Sequence, residues 1–367
     1  MAALPAGSLF FEKPLMATSS DPATTIPDQD PSEILTEPGG GKPAAGTGPW
    51  RLAGRRLRRN KVALAFGALF VLLVLVALSA PLFANHVADT GPNTNHLSDV
   101  ITIDGEQKNV VEFDGVPIGP QGLAADGRFV LGADRNGRDV MVRLLYGARN
   151  SLFIGITASI ITAVLAVFLG LLAGYFRGWV DAVISRGLDI LWAFPVLLLG
   201  IALGVSLSLG GLDLGIFSIE GNSLWIPTLI IGLVGIVYLA RPIRGQVLSL
   251  REKEFVEAAR AQGASDWRIM FKELLPNLLS TILVFFPVLV ANAVSLEAAL
   301  SFLGAGVQPP EPSWGTMLGE GIDLLISAPH LTIVPGAMLT LTVLSLNVFG
   351  DGVRDALDPR AKVRLEH

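Results

Sequence analysis

The stretch from Arg241 to Pro276 is a polar, charged segment between two long apolar runs, and its residue types suit binding to another protein. Residues 254–262 have helix-forming composition, Gly263 interrupts them, and Ser265 is placed to cap a second helix. We call residues 254–276 the elbow, because two short helices meeting at a glycine are predicted there. Six apolar residues form a predicted ridge: Phe255, Val256, Ala259, Trp267, Met270 and Phe271. The ridge would insert into a groove on a partner, or, as the alternative, lie on lipid headgroups.

Glu297 is an ionisable residue near one end of an apolar run. A carboxylate in such a run is costly unless it faces protein or water, so Glu297 is a candidate pathway or gate residue, and Asn292 and Ser295 could line the same surface. The alternative is that Glu297 reaches water at the interface or bonds a neighbouring helix, with Asn and Ser serving only to join helices. Both remain open. Asp189, near the end of another run, is predicted to pair with Arg186, three residues earlier.

Residue patterns typical of enzymes and cofactor sites do not occur in the sequence. Its four histidines form no HExxH motif and no serine lies in GxSxG, so no catalytic residue and no metal ligand is predicted. A metal site at His86 and His96 is a weak alternative. Gly41-Lys42 lacks the flanking residues of a phosphate-binding loop. Basic residues without interleaved aromatics disfavour nucleic-acid binding.

Overall composition indicates a membrane protein that crosses the bilayer several times. The chain has 367 residues, of which 51% are hydrophobic and 16% charged, and its mean hydropathy is +0.56. These values are too apolar for a soluble domain of this length. The chain contains no cysteine, so it forms no disulfide and no thiolate metal site.

Six apolar runs are predicted to span the membrane as helices, which gives an all-α polytopic fold. They are residues 62–84, 151–176, 188–209, 225–240, 278–303 and 331–349. The first is about 34 Å long if helical, enough to cross a hydrocarbon core of about 30 Å. It is too long, and starts too late, for a signal peptide. Pro195 and Pro287 are predicted to kink their helices, and Gly170 with Gly174, and Gly200 with Gly204, to allow close helix packing.

The distribution of Lys and Arg predicts the orientation of these spans. Residues 210–224 and 304–330 contain neither residue, whereas residues 241–276 contain seven. The positive-inside rule therefore places the elbow and both termini in the cytoplasm. Residues 85–150 do not follow the positive-inside rule, because this orientation places them outside and yet they hold six basic residues. Loops of more than about 60 residues, however, do not govern the orientation of the spans.

The same patterns divide the chain into five predicted parts. These are a disordered cytoplasmic tail (1–50), a basic flank with the first span (51–84), an external insertion (85–147), a transmembrane core (148–351) and a cytoplasmic tail (352–367). The insertion contains ITID, VVEF and GRFV, which alternate in polarity and predict short strands. Asp139 to Arg149 is predicted as an amphipathic helix at the membrane surface.

Specific residues in the elbow resemble a known family. Glu257-Ala258-Ala259, Gly263 and Leu275-Pro276 are similar to the EAA loop of ABC-importer permeases. Three further segments resemble the second permease subunit of the dipeptide, oligopeptide and nickel branch of that family: Leu131 to Leu152, Ser295 to Leu318 and Asn347 to Arg360. The resemblance covers residues 51–360.

This resemblance implies a six-span type I ABC importer permease in the bacterial inner (plasma) membrane. It implies a path for peptides, built with a homologous permease subunit and fed by an external solute-binding lipoprotein or periplasmic protein. The elbow would couple to two ATPase subunits that hold ATP and Mg, so no cofactor is expected on this chain. The alternatives are a permease for nickel or another small solute, or a self-sufficient channel or ion-driven carrier.

Overall fold

The computed structural model describes residues 49–357, except for residues 104, 105, 123–126, 214, 216 and 217. The predicted disordered tail, including Gly41-Lys42, lies outside the described residues apart from its last two positions. Most of the predicted C-terminal tail also lies outside them.

The described residues contain twelve α-helices and four short strands. In the first part of the chain they are α1 (Pro49–Arg59), α2 (Lys61–Leu78), α3 (Ala80–Phe83), β1 (Val100–Ile103), β2 (Glu106–Asn109), α4 (Val140–Phe176), α5 (Gly178–Ala193), α6 (Val196–Gly210), β3 (Leu212–Asp213) and β4 (Ser218–Ile219). The rest are α7 (Trp225–Leu250), α8 (Glu254–Ala261), α9 (Asp266–Arg268), α10 (Leu275–Phe302), α11 (Trp314–Gly321) and α12 (His330–Leu357). A π-helical turn, Ile269–Leu274, joins α9 to α10.

Five of the described helices are long and apolar enough to cross a membrane, and α5 with α6 makes a sixth span if the bent pair is counted as one. Six spans were predicted, but the prediction of one helix over residues 188–209 is wrong. The chain bends by 88° between α5 and α6. Phe194 is extended, with φ −88° and ψ 135°, as expected for a residue before proline. Pro195 has no N–H for a continuous helix, so α6 begins after it.

The insertion after the first span contains less strand than its sequence predicts. Within the residues described there, β1 and β2 pair as one antiparallel hairpin, with Val100 opposite Asn109. The VVEF segment contributes only an isolated bridge from Val111 to Pro117, and GRFV forms no strand. Phe129 is instead buried in a small apolar cluster. Its N–H donates to the Asp139 carboxylate over 2.5 Å, which holds this segment without a strand partner.

The helix predicted at Asp139 to Arg149 is present and leads into the second span, but its predicted position on a surface is wrong. Asp139 does cap a helix, because its carboxylate accepts from the Val142 N–H at 3.1 Å. That helix is α4, which continues unbroken for 37 residues and crosses the predicted boundary at 147/148. The first turns of α4 are buried and do not lie on a surface. Among their residues, Arg143 donates to the Glu320 carboxylate on α11 over 3.1 Å. This ion pair fixes α4 to α11 at the insertion end of the bundle.

Small residues bring the central helices together, as predicted. A Cβ at Gly170 would lie 2.7 Å from the Ile243 side chain, and one at Gly174 would lie 2.7 Å from Val247. These two glycines therefore let α4 approach α7 closely along the core. In the same way, Gly200 on α6 faces Leu300 on α10.

Candidate functional site

The first half of the elbow is a short helix that ends at Gly263, as predicted. The Gly263 N–H donates to the Arg260 carbonyl at 2.9 Å, and the Ala264 N–H donates to the Ala259 carbonyl at 3.0 Å. This bond pair is a Schellman motif, and it places Gly263 at φ +79°. A Cβ at Gly263 would meet no atom within 4 Å. The backbone conformation, and not space, is therefore what requires glycine here.

The second half of the elbow differs from the prediction of another short helix. Ser265 is the N-cap, and its hydroxyl accepts from the Arg268 N–H at 3.4 Å. The helix then passes through the π-helical turn directly into α10, so that one helical segment spans Asp266–Phe302. Leu275 and Pro276 are the first residues of α10. Pro276 has no N–H to donate to the carbonyl four residues earlier, and the turn before it widens.

The predicted apolar ridge is divided between the protein core and the surface. Val256 and Met270 have 0% and 1% of their surface exposed and pack in the protein's own core, so their assignment to an outward ridge is wrong. Phe255, Trp267 and Phe271 are exposed. The rings of Trp267 and Phe271 stack with centroids 5.7 Å apart. The exposed part of the predicted ridge is therefore aromatic, and Glu257 and Ala258 are also exposed on α8.

Tyr175, near the end of α4, attaches the elbow to the bundle. Its hydroxyl donates to the Asp266 carboxylate over 2.6 Å, and the Arg260 guanidinium lies over its ring at 5.5 Å. Arg251 also lies over the ring and donates to the Tyr175 carbonyl. Tyr175 was not among the functional residues predicted from the sequence. A tyrosine at the end of an apolar run is a general interfacial signal that does not identify a partner.

We expect Tyr175→Phe to loosen the elbow without disturbing the core, because phenylalanine keeps the ring and removes only the bond to Asp266. A hydrogen bond to a charged group contributes about 1.5–3 kcal/mol, and less where the carboxylate is exposed. Amide hydrogen exchange in residues 264–270 should therefore rise by about fivefold or more. Exchange in residues 226–240 of α7 serves as the internal control. Unchanged exchange in the elbow would show that Tyr175 does not hold it.

A cavity of about 370 Å³ lies between α4, α6, α7 and α10. Asn292 and Ser295 both line it. They were predicted to share one surface with Glu297, which is not among the residues that line the cavity. Its other polar lining groups are Ser159, Thr162 and Tyr238. The remaining lining residues are apolar or glycine, so none of the described residues of the wall has a side chain that is charged at neutral pH.

Glu297 does not line this cavity. It is 0% exposed on a different face of α10, where the Ser301 hydroxyl donates to its carboxylate at 2.7 Å. The Ser301 hydroxyl in turn accepts from the Val307 N–H at 2.9 Å. The bond to Ser301 lies within α10 itself, and the other carboxylate oxygen of Glu297 is buried without a hydrogen-bond partner among the described residues.

The two histidines considered as metal ligands, His86 and His96, do not come together in a site. His86 contacts the Leu82 carbonyl, whereas His96 contacts Thr90 and Asp99. Within residues 49–357, as far as they are described, no group of three metal-ligating side chains is brought together. Asp189 pairs at 2.8 Å with Arg241 on α7, so its predicted pairing with Arg186 is wrong.

Comparison with known proteins gives two family matches. A model described as binding-protein-dependent transport system inner membrane component matches residues 166–363. A model of the N-terminal TM domain of oligopeptide transport permease C matches residues 48–98.

Individual relatives agree with these matches. The glutathione transport system permease protein GsiD of Pectobacterium atrosepticum is 37% identical over 86% of this chain and 92% of that protein. The dipeptide transport system permease protein DppC of Alkalihalophilus pseudofirmus is 38% identical over 86% of this chain and 91% of that protein. A chain of the inward-facing MetNI methionine ABC transporter is similar over 59% of this chain and 97% of that chain, with 19% identity and a TM-score of 0.47.

Proposed function

The chain belongs to the family of binding-protein-dependent transport system inner membrane components, and on that premise we propose that it forms half of a peptide path driven through the elbow. Family membership makes it a multi-pass inner-membrane permease of an ABC importer in the peptide and glutathione group. It is a transport subunit without a catalytic role, of a kind that carries no cofactor. ATP and Mg belong to partner ATPase chains.

The exposed aromatic ridge of the elbow is the observation that carries the coupling proposal. Large aromatic side chains dominate the energetics of protein interfaces, and Phe255, Trp267 and Phe271 are exposed together with Glu257 and Ala258. The base of the same segment is fixed by buried Val256 and Met270 and by Tyr175. A force applied to the ridge therefore acts on α4, α7 and α10 together.

The proposed complex holds two ATPase subunits, one on this elbow and one on the equivalent segment of a homologous permease. An external solute-binding protein delivers the solute to the opposite end of the bundle. The elbow and both termini are proposed to be cytoplasmic, because the basic residues concentrate there. ATP binding shifts the path between two discrete packings, as alternating access requires.

The neutral cavity supports a peptide as the transported solute. The peptide groups and apolar side chains of such a solute match a wall of apolar groups, hydroxyls and the Asn292 amide, whereas its charged termini have no charged partner among the described lining residues. The named relatives transport glutathione and dipeptides, which are both peptides. Nickel is well bound by imidazole ligands, and no histidine is among the described residues that line the cavity. We propose that Asn292 and Ser295 contact the solute along the path. Glu297 is proposed to stabilise α10 on the face that points away from the cavity.

Reconstituted vesicles containing both permeases, the ATPase subunits and the binding protein test this proposal. We expect ATP-dependent uptake of a dipeptide or glutathione in preference to a nickel chelate. Asn292→Leu removes an amide that a peptide can bond, worth about 1–3 kcal/mol when left unpaired, so uptake should fall by about tenfold. Glu297→Gln keeps an acceptor for Ser301 and should leave uptake within about twofold. A larger effect of Glu297→Gln than of Asn292→Leu would contradict the proposed path.

A further inference from the structure

The six basic residues in residues 85–150 do not follow the positive-inside rule, and the proposed function gives them no role. The structure pairs four of them with carboxylates: Arg128 with Asp99, Arg135 with Asp323, and Arg138 and Arg143 with Asp134 and Glu320. The other two are exposed, Lys108 on β2 and Arg149 on α4. Among the described residues, Arg149 makes no ion pair. Its guanidinium is therefore available to an anion from outside the chain.

Arg149 lies at one boundary of the membrane. The apolar run that α4 carries across the bilayer begins two residues later, at Ser151. Phe153, one turn after Arg149 on the same face of α4, packs edge to face against Trp225, with ring centroids 5.6 Å apart. Tryptophan is enriched where the hydrocarbon core meets the headgroups. The guanidinium of Arg149 is therefore at the depth of the lipid phosphates, on the side of the insertion.

A second cavity, of about 400 Å³, lies beside Arg149 between α2 and α4. We call it the lateral groove, because Leu78 and Phe153 in its wall are 63% and 39% exposed and it opens toward the surrounding bilayer. Along α4, Arg149 and Asn150 line it first, and apolar residues follow for two turns to Ile156. Residues of α2 form the facing apolar wall. The groove thus has a polar end at the membrane boundary and an apolar length within the membrane.

The chemistry of this lining fits an anionic phospholipid. A guanidinium binds a phosphate group through two parallel hydrogen bonds. Arg149 is the only charged residue among the described ones that line the groove, so the polar end carries a net positive charge. The Asn150 amide is already used, since it donates to the Pro312 carbonyl at 2.8 Å and to the Glu311 carboxylate at 3.4 Å. Basic pockets between membrane helices bind lipid headgroups by the same charge complementarity, and the apolar length of the groove matches an acyl chain.

We propose that the lateral groove binds one anionic phospholipid, with its phosphate on Arg149 and an acyl chain between α2 and α4. At its other end α2 packs directly on α12, where a Cβ at Gly67 would lie 2.7 Å from the Phe349 ring. At the Leu78 end, the acyl chain adds contact with α4 that the helices themselves do not supply. This site goes beyond the proposed function, because it involves neither the elbow nor the proposed path.

Photolabelling of the reconstituted complex tests the site. Phosphatidylcholine vesicles that hold both permeases and the ATPase subunits receive a small fraction of phosphatidylglycerol with a diazirine in one acyl chain, and the adducts are mapped by mass spectrometry. We expect about tenfold more adduct at Leu78 and Phe153 than at Val71 and Leu72, because the bond to the phosphate holds the lipid in the groove. Val71 and Leu72 are each 55% exposed on α2 but are not among the residues that line the groove. Excess unlabelled phosphatidylglycerol should remove only the groove adducts.

Substitution of Arg149 separates this site from general contact with lipid. Arg149→Gln should lower the groove adducts by about tenfold and leave those at Val71 and Leu72 unchanged. Arg149→Lys keeps the charge but not the paired donors, so its labelling should be intermediate. Lys108→Gln is the matched control, because it removes the same charge from an exposed position on β2, and it should leave the groove adducts unchanged.

Two results would overturn the lipid site. One is equal groove labelling in Arg149→Gln and Lys108→Gln. The other is groove labelling no higher than that at Val71 and Leu72. If the second result came with weaker pairing of the two permeases in Arg149→Gln, the occupant of the groove would be the partner permease and not a lipid.

Discussion

Replacing Gly263 with valine is expected to lower solute uptake by about tenfold while the complex still assembles and hydrolyses ATP. Gly263 has φ +79° and closes the Schellman motif at the end of α8. The left-handed conformation costs an ordinary residue about 1–2 kcal/mol, and a β-branched residue more. The valine chain should therefore leave this conformation, so that α8 changes its angle to α9 and α10. Movement of the docked ATPase subunit would then no longer be transmitted through α8 to α10 in the direction that opens the path.

Gly263→Asn is the matched control for that substitution. Asparagine tolerates the left-handed conformation, and a side chain at this position has open space around it. Uptake and ATP hydrolysis are measured in the same vesicles, and the ratio of the two gives the coupling. The asparagine variant should stay close to the original ratio. Equal ratios for the valine and asparagine variants would contradict a role for the glycine conformation.

Trp267→Ala is expected to weaken binding of the ATPase subunit by about thirtyfold, because truncating a central interface tryptophan commonly costs 2 kcal/mol or more. Trp267 is 53% exposed and stacks on Phe271, so alanine removes the largest part of the ridge without opening the core. Titrating purified ATPase subunit against the detergent-solubilised permease pair measures the affinity.

Phe113→Ala provides the comparison for Trp267→Ala. Phe113 is fully exposed in the insertion, far along the chain from the elbow, and alanine there should leave ATPase binding unchanged. If Trp267→Ala bound the ATPase as tightly as Phe113→Ala does, the ridge would not be the docking surface.

The elbow shows what a sequence can and cannot predict about a binding segment. Gly263 and Ser265 have strong local preferences, so the helix end and the next cap were both predictable. The direct continuation into α10 was not, because the polar residues around Lys272 separate the predicted second helix from the next apolar run, whereas the backbone stays helical across them. The burial of Val256 and Met270 depends on where α4 and α7 pack. Local spacing does not contain that information.

The third span shows the same difference between local residue preferences, which a sequence reveals, and packing between distant segments, which it does not. Pro195 predicts a kink, but the 88° angle is set by how α5 and α6 pack against α7 and α10. Asp189 illustrates the point for charges. Its pairing with Arg186 was expected from helical spacing, whereas the partner in the structure is Arg241, 52 residues away on α7. Contacts between distant segments override local pairing when the helices pack.

Helical spacing predicted in part which residues of α10 line the cavity. Asn292 and Ser295 were predicted to share a surface with Glu297, and only the first two line the cavity. Glu297 was singled out because it is ionisable in an apolar run, yet it lies on another face with Ser301. Residue type identifies an intramembrane carboxylate as exceptional, but only the packing of α4, α10 and α11 determines what it faces.

The central claim is that this chain is a path opened by a separate ATPase through the elbow. The most direct measurement compares vesicles that hold both permeases and the binding protein, with and without the ATPase subunits, supplied with ATP on the elbow side. The account predicts uphill peptide uptake only when the ATPase is present, and its loss with Trp267→Ala. Uphill uptake without the ATPase subunits would contradict it.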